Sequence, residues 1–393
     1  MVLRLTGAES NAHLHRGSPR TWGMHSRIVA IVLSSLLVAV GVLACSENGG
    51  PAGDQADQPP HIRLYLAGLG EIFVVDVESG RAERIEFPAL VGGDPPNLIE
   101  ARGDGFVIWS GSRTLFSRFD LESPPRSIGE SLFFVAAAEP DGLWLVGGPA
   151  GEMHLGPTRE VDISGDAVVE AARPPAGFPA AAVPEGLAFE NDGRLAIWDA
   201  GSDEVVERIP TRGGLAGAAG DETISLCDYE RGPELRLASI ASGEILPVDT
   251  PANVAGVDCR AGEISPDGTM LAAPVVISDR PLAWPAVSRA PVALGIADLR
   301  TRRLTVVPGT RVPKDYRYAR WSPDGSAAFI LGRGLDGPRE GEVDNRIVEY
   351  SVASDSTREI DVDLGAFYDV LTTEAAGRLP KASYAGSPSA ASR

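Results

Sequence analysis

After residue 60 the chain alternates short apolar runs with polar turns, and no helical period lasts three turns. Ile72-Phe-Val-Val, Leu115-Phe-Ser-Arg-Phe, Leu195-Ala-Ile-Trp and Leu294-Gly-Ile-Ala are each followed closely by Asp. Short runs bounded this way predict β-strands rather than helices. One unit recurs: an apolar strand ends in Asp or Ser, and an apolar residue and a polar turn follow. Its anchors are Asp76, Asp120, Asp199, Ser239, Asp298 and Ser351, at spacings of 44, 79, 40, 59 and 53 residues. The spacing of 79 holds two units, with a degenerate copy near Met153-His154-Leu155. A period near 40 with about four strands per unit is the pattern of propeller blades.

The expected fold is therefore all-β, a seven-bladed β-propeller, with six or eight blades as alternatives because the third unit is weak. The blades are expected over residues 62–90, 97–128, 132–164, 167–211, 214–249, 256–308 and 316–363. The first unit lacks an inner strand. Ala366-Phe-Tyr-Asp-Val-Leu-Thr372 is expected to fill that place and close the ring, which leaves no sheet edge open.

A second motif supports the repeat. Ile264-Ser-Pro-Asp-Gly268 and Trp321-Ser-Pro-Asp-Gly325 stand at matching places in the last two units, with weaker relatives at Gly103-Asp-Gly105 and Glu139-Pro-Asp-Gly142. Proline fixes φ, and Asp-Gly accepts the positive φ of a tight hairpin. On these residues the chain resembles TolB-type and WD-repeat-like propellers, where SPDG joins the innermost strand to the second. The resemblance implies the architecture over most of residues 62–375 and says little about activity. The turn aspartates are read as hairpin chemistry rather than as calcium ligands.

The N-terminal segment bears on location. Residues 28–44 form an uncharged apolar run of 17 residues, short of the ~20 that span a bilayer core. Arg27 precedes it and Cys45 ends it. Val42-Leu43-Ala44-Cys45 resembles the bacterial lipobox, with Leu43 where the pattern usually has a small residue. The resemblance implies that residues 1–44 are a cleaved signal peptide, with Met24 as a second start. It also implies a diacylglycerol and an N-acyl chain such as palmitate on Cys45, the two lipid signals that stable anchoring needs. An uncleaved anchor and a buried helix are the alternatives. Residues 45–60 would be a flexible tether, residues 61–375 the propeller and residues 376–393 a disordered tail. The expected location is the cell membrane or an outer membrane, with the domain facing the periplasm or cell exterior.

Charge narrows the partners. The whole chain carries −19; without residues 1–45 it has 31 basic and 53 acidic residues, or −22. So acidic a surface repels phosphate backbones, and no nucleic-acid partner is expected. Cys227 and Cys259 are the other two cysteines, and either a disulfide or a pair of buried thiols is open to them. Beyond residue 45 histidine is confined to His61 and His154, which weakens a histidine-based metal site or base. Nucleophile-elbow, Walker, HExxH and CxxC motifs are absent, so no catalytic residue, metal or cofactor is assigned.

The oversized spacings of 59 and 53 put long second-to-third-strand loops in adjacent blades, over 278–291 and 333–346. These loops offer Asp279, Arg280, Trp284, Arg289, Arg333, Asp336, Arg339, Glu340 and Asp344 as candidate binding residues. The expected function is a lipid-anchored scaffolding or binding module of the cell envelope, with a protein or ligand partner. The competing reading is a propeller hydrolase or lyase acting on an envelope glycan or peptide. Convergent carboxylate and Arg side chains with a metal in the channel would favour the enzyme; small apolar channel residues would favour binding.

Overall fold

The computed structural model describes residues 61–375 apart from shorter stretches, among them 88–95, 148–157, 171–177, 280–289 and 335–343. The signal peptide, Cys45, the tether and the tail over 376–393 lie outside the described residues. Seven small antiparallel sheets stand in a ring, a seven-bladed β-propeller. From the inner edge outward, blade 1 runs Phe367–Ala375, His61–Gly68, Glu71–Asp76 and Arg81–Glu86. The last described strand thus completes the first blade, pairing His61 with Ala375 and Leu66 with Val370.

Blades 2 to 5 each have four consecutive strands, with inner strands Pro96–Arg102, Phe133–Ala136, Phe178–Val183 and Leu215–Ala219. Blade 6 splits its inner strand into Val254–Val257 and Glu263–Ile264, both paired to Met270–Ile277, with a short 3-10 turn over Cys259–Ala261 between them. Blade 7 starts at Tyr316–Trp321. One expected boundary is corrected: Val169–Glu170 pairs with Val161 and Asp162 as the outer strand of blade 3, so blade 4 begins later than residue 167.

Burial explains the strand sequences. Middle strands have neighbours on both faces of the blade, so their side chains are buried throughout, as in Glu71–Asp76 and Ala327–Gly334. Their sequences therefore read as continuous apolar runs. Outer strands meet water, and Arg81–Glu86 and Ser356–Glu359 are accordingly polar and largely exposed. A separate apolar cluster fills each seam between neighbouring blades, including the seam between blades 7 and 1, where Phe329 and Leu331 meet Leu64, Phe73 and Phe367. Trp144 and Trp198, edge to face at 5.6 Å, fill the seam of blades 3 and 4. Such a pair is worth roughly 1 kcal/mol beyond its buried area.

The recurrent anchor residues cap the turn from the third strand to the fourth. Asp76 accepts from the Ser79 N–H at 2.9 Å, Asp199 from Gly201 at 2.7 Å and Asp298 from Arg300 and Thr301 at 2.8 Å each. Four residues beyond the anchor the backbone turns left-handed, at Gly80 (φ 62°), Asp203 (59°), Gly243 (67°), Arg302 (55°) and Asp355 (48°). The SPDG turns repeat atom for atom. In each the Ser hydroxyl bonds the Asp carboxylate at 2.6 Å and accepts the N–H of the second strand at 2.9 Å. The Asp267 and Asp324 Oδ1 atoms are thus engaged within their own turns.

Candidate functional site

The inner strands bring together charges that lie far apart in sequence. Arg320, on the inner strand of blade 7, donates to Asp369 Oδ1 at 3.2 Å and to the Val370 carbonyl at 3.0 Å, both in the closing strand. It also reaches the Ala261 carbonyl of blade 6 at 3.3 Å, and its guanidinium lies 5.2 Å from the Tyr318 ring centroid. Asp369 is fully buried and accepts the N–H of Ile99 in blade 2 and of Val370, both at 2.8 Å. Glu263 Oε2 accepts the Trp321 N–H at 2.6 Å, and the Trp321 indole donates to the Glu263 carbonyl at 3.0 Å. Asp258 pairs with Arg317 at 3.1 Å and caps the 3-10 turn through the Ala261 N–H.

Desolvation is the largest influence on both deep carboxyls. It raises Asp369 to about 6 against the lowering by Arg320 and the two backbone donors. Glu263 keeps some surface but sits deep among the inner strands, and desolvation raises it to about 7 despite Arg320 and the Trp321 N–H. Burial also raises Asp258, although Arg317 opposes it. On this side of the ring the charges are tied to each other and to the backbone. They latch blades 6, 7, 1 and 2 together.

The opposite side is open. A cavity of about 880 Å³ is bounded by the inner strands of blades 2 to 5. Small apolar side chains, Val135, Ala136, Ala137, Ala181, Ala182, Val183 and Ala219, stand along a wall whose exposed surface is more polar than apolar. Glu139 and Asp221, in the first-to-second-strand turns of blades 3 and 5, also line it. Glu100 and Arg102 enter it from one strand of blade 2. Desolvation lowers Arg102 from its usual value, against the raising influence of Glu100. Among the described residues no group of three His, Cys, Asp or Glu side chains is placed to hold a metal ion.

The residues expected to form a loop site fare unevenly. Asp279 is described and exposed. Asp344 opens the third strand of blade 7 opposite Gly334. Arg333 is not a loop residue: it sits in Ala327–Gly334, is 5% exposed, and donates to the Phe367 carbonyl at 3.1 Å. Strand pairing runs into the expected loop, as far as Gly334 against Asp344. Arg280, Trp284, Arg289, Asp336, Arg339 and Glu340 lie outside the described residues. Cys227 and Cys259 form a disulfide across the seam of blades 5 and 6, with Cα atoms 6.0 Å apart.

Sequence reading passed over the channel residues. A signal was present: charges interrupt short apolar strands in Ile99-Glu-Ala-Arg102, Tyr318-Ala-Arg320 and Phe367-Tyr-Asp369. Such residues look like solvated strand faces until the ring places them inside.

No protein-family model matches the chain, and no curated protein matches it in sequence. Solved structures do. A putative 6-phosphogluconolactonase from Bacteroides uniformis aligns with a TM-score of 0.51 at 12% identity, over 80% of this chain and 100% of that one. A second, from Bacteroides fragilis, gives 0.48 at 13% identity over 81% and 99%. The Neurospora crassa Pan2 WD40 domain gives 0.43 at 12% identity over 69% and 85%. At these identities the likeness is one of fold alone, and the fold is the seven-bladed β-propeller.

Proposed function

We propose that the chain is a binding module of the cell envelope, held to a membrane by lipid on Cys45, whose small-molecule site is the cavity inside the ring. One contrast carries the reading. The charges of blades 6, 7 and 1 are engaged with one another and with backbone groups, whereas blades 2 to 5 surround a roomy cavity walled by alanines. Ligands bind in concave spaces on which a few polar groups converge, and Glu100, Arg102, Glu139 and Asp221 line this one. The segments over 278–291 and 335–343 would present Trp284, Arg289 and Arg339 to a protein partner.

A mass-spectrometric comparison of wild type with Ala136→Leu, both purified from envelope membranes, tests the cavity. Denatured wild type should release a small molecule that the variant, with part of the cavity filled, releases in lower amount. Equal release from both, or none from the wild type, would overturn the proposal. The competing hydrolase or lyase reading draws on Glu263, whose carboxyl at about 7 suits proton transfer. Its Oε2 is already committed to the Trp321 N–H, which makes a structural latch the better account.

A further inference from the structure

We infer that the cavity takes a zwitterion of the α-amino acid class, its carboxylate on Arg102 and its ammonium on Glu100. This rests on the cavity being a ligand site, as proposed above. Glu100 and Arg102 are alternate residues of one strand, so their side chains leave the same face, two residues or about 7 Å apart along it. Both line the cavity. The Arg102 Nε is buried with no acceptor. Glu100 is the charge that acts on Arg102, and its field also reaches Arg320, Asp369 and Glu263. Asp258 and Arg317, and Arg320 and Asp369, close on each other at 3.1 and 3.2 Å, whereas Glu100 and Arg102 influence each other without such a contact.

A guanidinium whose Nε–H faces no acceptor is half of the fork that binds a carboxylate through two parallel hydrogen bonds. Desolvation of this cation exceeds what Glu100 returns, and a ligand carboxylate would add a second compensating charge. A bare anion fits poorly, because Glu100, Glu139 and Asp221 line the same cavity and repel it. A bare cation would satisfy Glu100 and leave Arg102 unmet. A zwitterion answers both without adding net charge. The alanine side chains leave space for a ligand side chain.

A thermal-shift panel on the full chain with the proteinogenic amino acids, one at a time, tests this, because a ligand that binds the folded state raises its melting temperature. At least one amino acid should raise it in a saturable way. The amine lacking its carboxyl and the acid lacking its amino group should each bind roughly tenfold to a hundredfold more weakly, as loss of a charge-assisted hydrogen bond implies. Arg102→Met and Glu100→Gln should each weaken that amino acid to a similar degree, with circular dichroism matching wild type. Arg102→Lys, which keeps the charge on a folded protein, should restore part of the affinity.

Binding of the amine or the acid as tightly as the amino acid would overturn the inference, as would unchanged affinity in both variants. Tighter binding of a dipeptide of the same residue would move the ligand to a peptide and overturn the free amino acid. No response to any amino acid overturns the inference too. If wild type still releases a compound that Ala136→Leu does not, the cavity proposal survives that failure; if nothing is released, both fall.

Discussion

Replacing Asp369 with asparagine should change how stability depends on pH. Asp369 is 0% exposed, and burial outweighs its Arg320 neighbour, so the folded-state carboxyl titrates at about 6 instead of the ordinary 3.8. Between those values the folded protein holds a proton that the unfolded chain has released. Stability from this group is therefore present at low pH and is lost as pH rises toward 6. A shift of about two pH units corresponds to roughly 3 kcal/mol when fully developed. An asparagine does not titrate, so the wild type should gain on the variant as pH falls. Urea denaturation followed by tryptophan fluorescence from about pH 7.5 to pH 4 should show the gap widening by roughly 2–3 kcal/mol. A constant gap, or one that narrows with acid, would refute the reasoning. Narrowing would mean that Arg320 and the two backbone donors outweigh desolvation and hold Asp369 below its ordinary value.

Arg302 occupies a left-handed turn position with φ at 55°, where a Cβ is unfavourable, so Arg302→Gly should raise stability by roughly 1 kcal/mol in the same assay; a less stable variant would contradict the strain. The disulfide between Cys227 and Cys259 closes a sequence separation of 32 residues, and replacing both with alanine should cost roughly 3–4 kcal/mol. Peptide mapping without reductant should recover the two cysteine peptides linked, and two free thiols in membrane-purified protein would count against the bridge. Cys45→Ala should abolish incorporation of a fatty-acid analogue, and labelling at the wild-type level would end the lipid-anchor proposal.

Much of the fold was legible because it is local. A strand that packs on both faces must be apolar throughout, and a hairpin needs residues that accept a positive φ and cap free N–H groups. The anchors Asp76, Asp199 and Asp298 and the two SPDG turns meet those needs within a few residues of chain, so their spacing reveals the blades. The closing strand at 367–375 was readable for the same reason, since blade 1 had a vacancy and the chain end had a strand to fill it. The weak third unit shows the limit: its outer strand, Val169–Glu170, is two residues long and gives no period to read.

What the ring encloses depends on closure. Arg320 and Asp369 are 49 residues apart, and Asp369 meets the Ile99 N–H across 270 residues. No spacing rule connects such positions, because their proximity follows from seven blades turning back on themselves. Closure also decides the chemical state of these groups. Asp369 on an open strand would titrate as an ordinary carboxyl; within the ring it loses water faster than it gains partners, and its proton is held more tightly. Arg333 shows the same effect, a charge with the sequence look of an exposed loop that pairing carries inside the protein. The sequence by itself determined the repeat and the turns, both set by steric and hydrogen-bonding needs a few residues long, and it left the blade number between six and eight. The tertiary structure alone decided which charges face each other in the channel and which face the cavity, because that depends on the distance between blades rather than on any segment of chain.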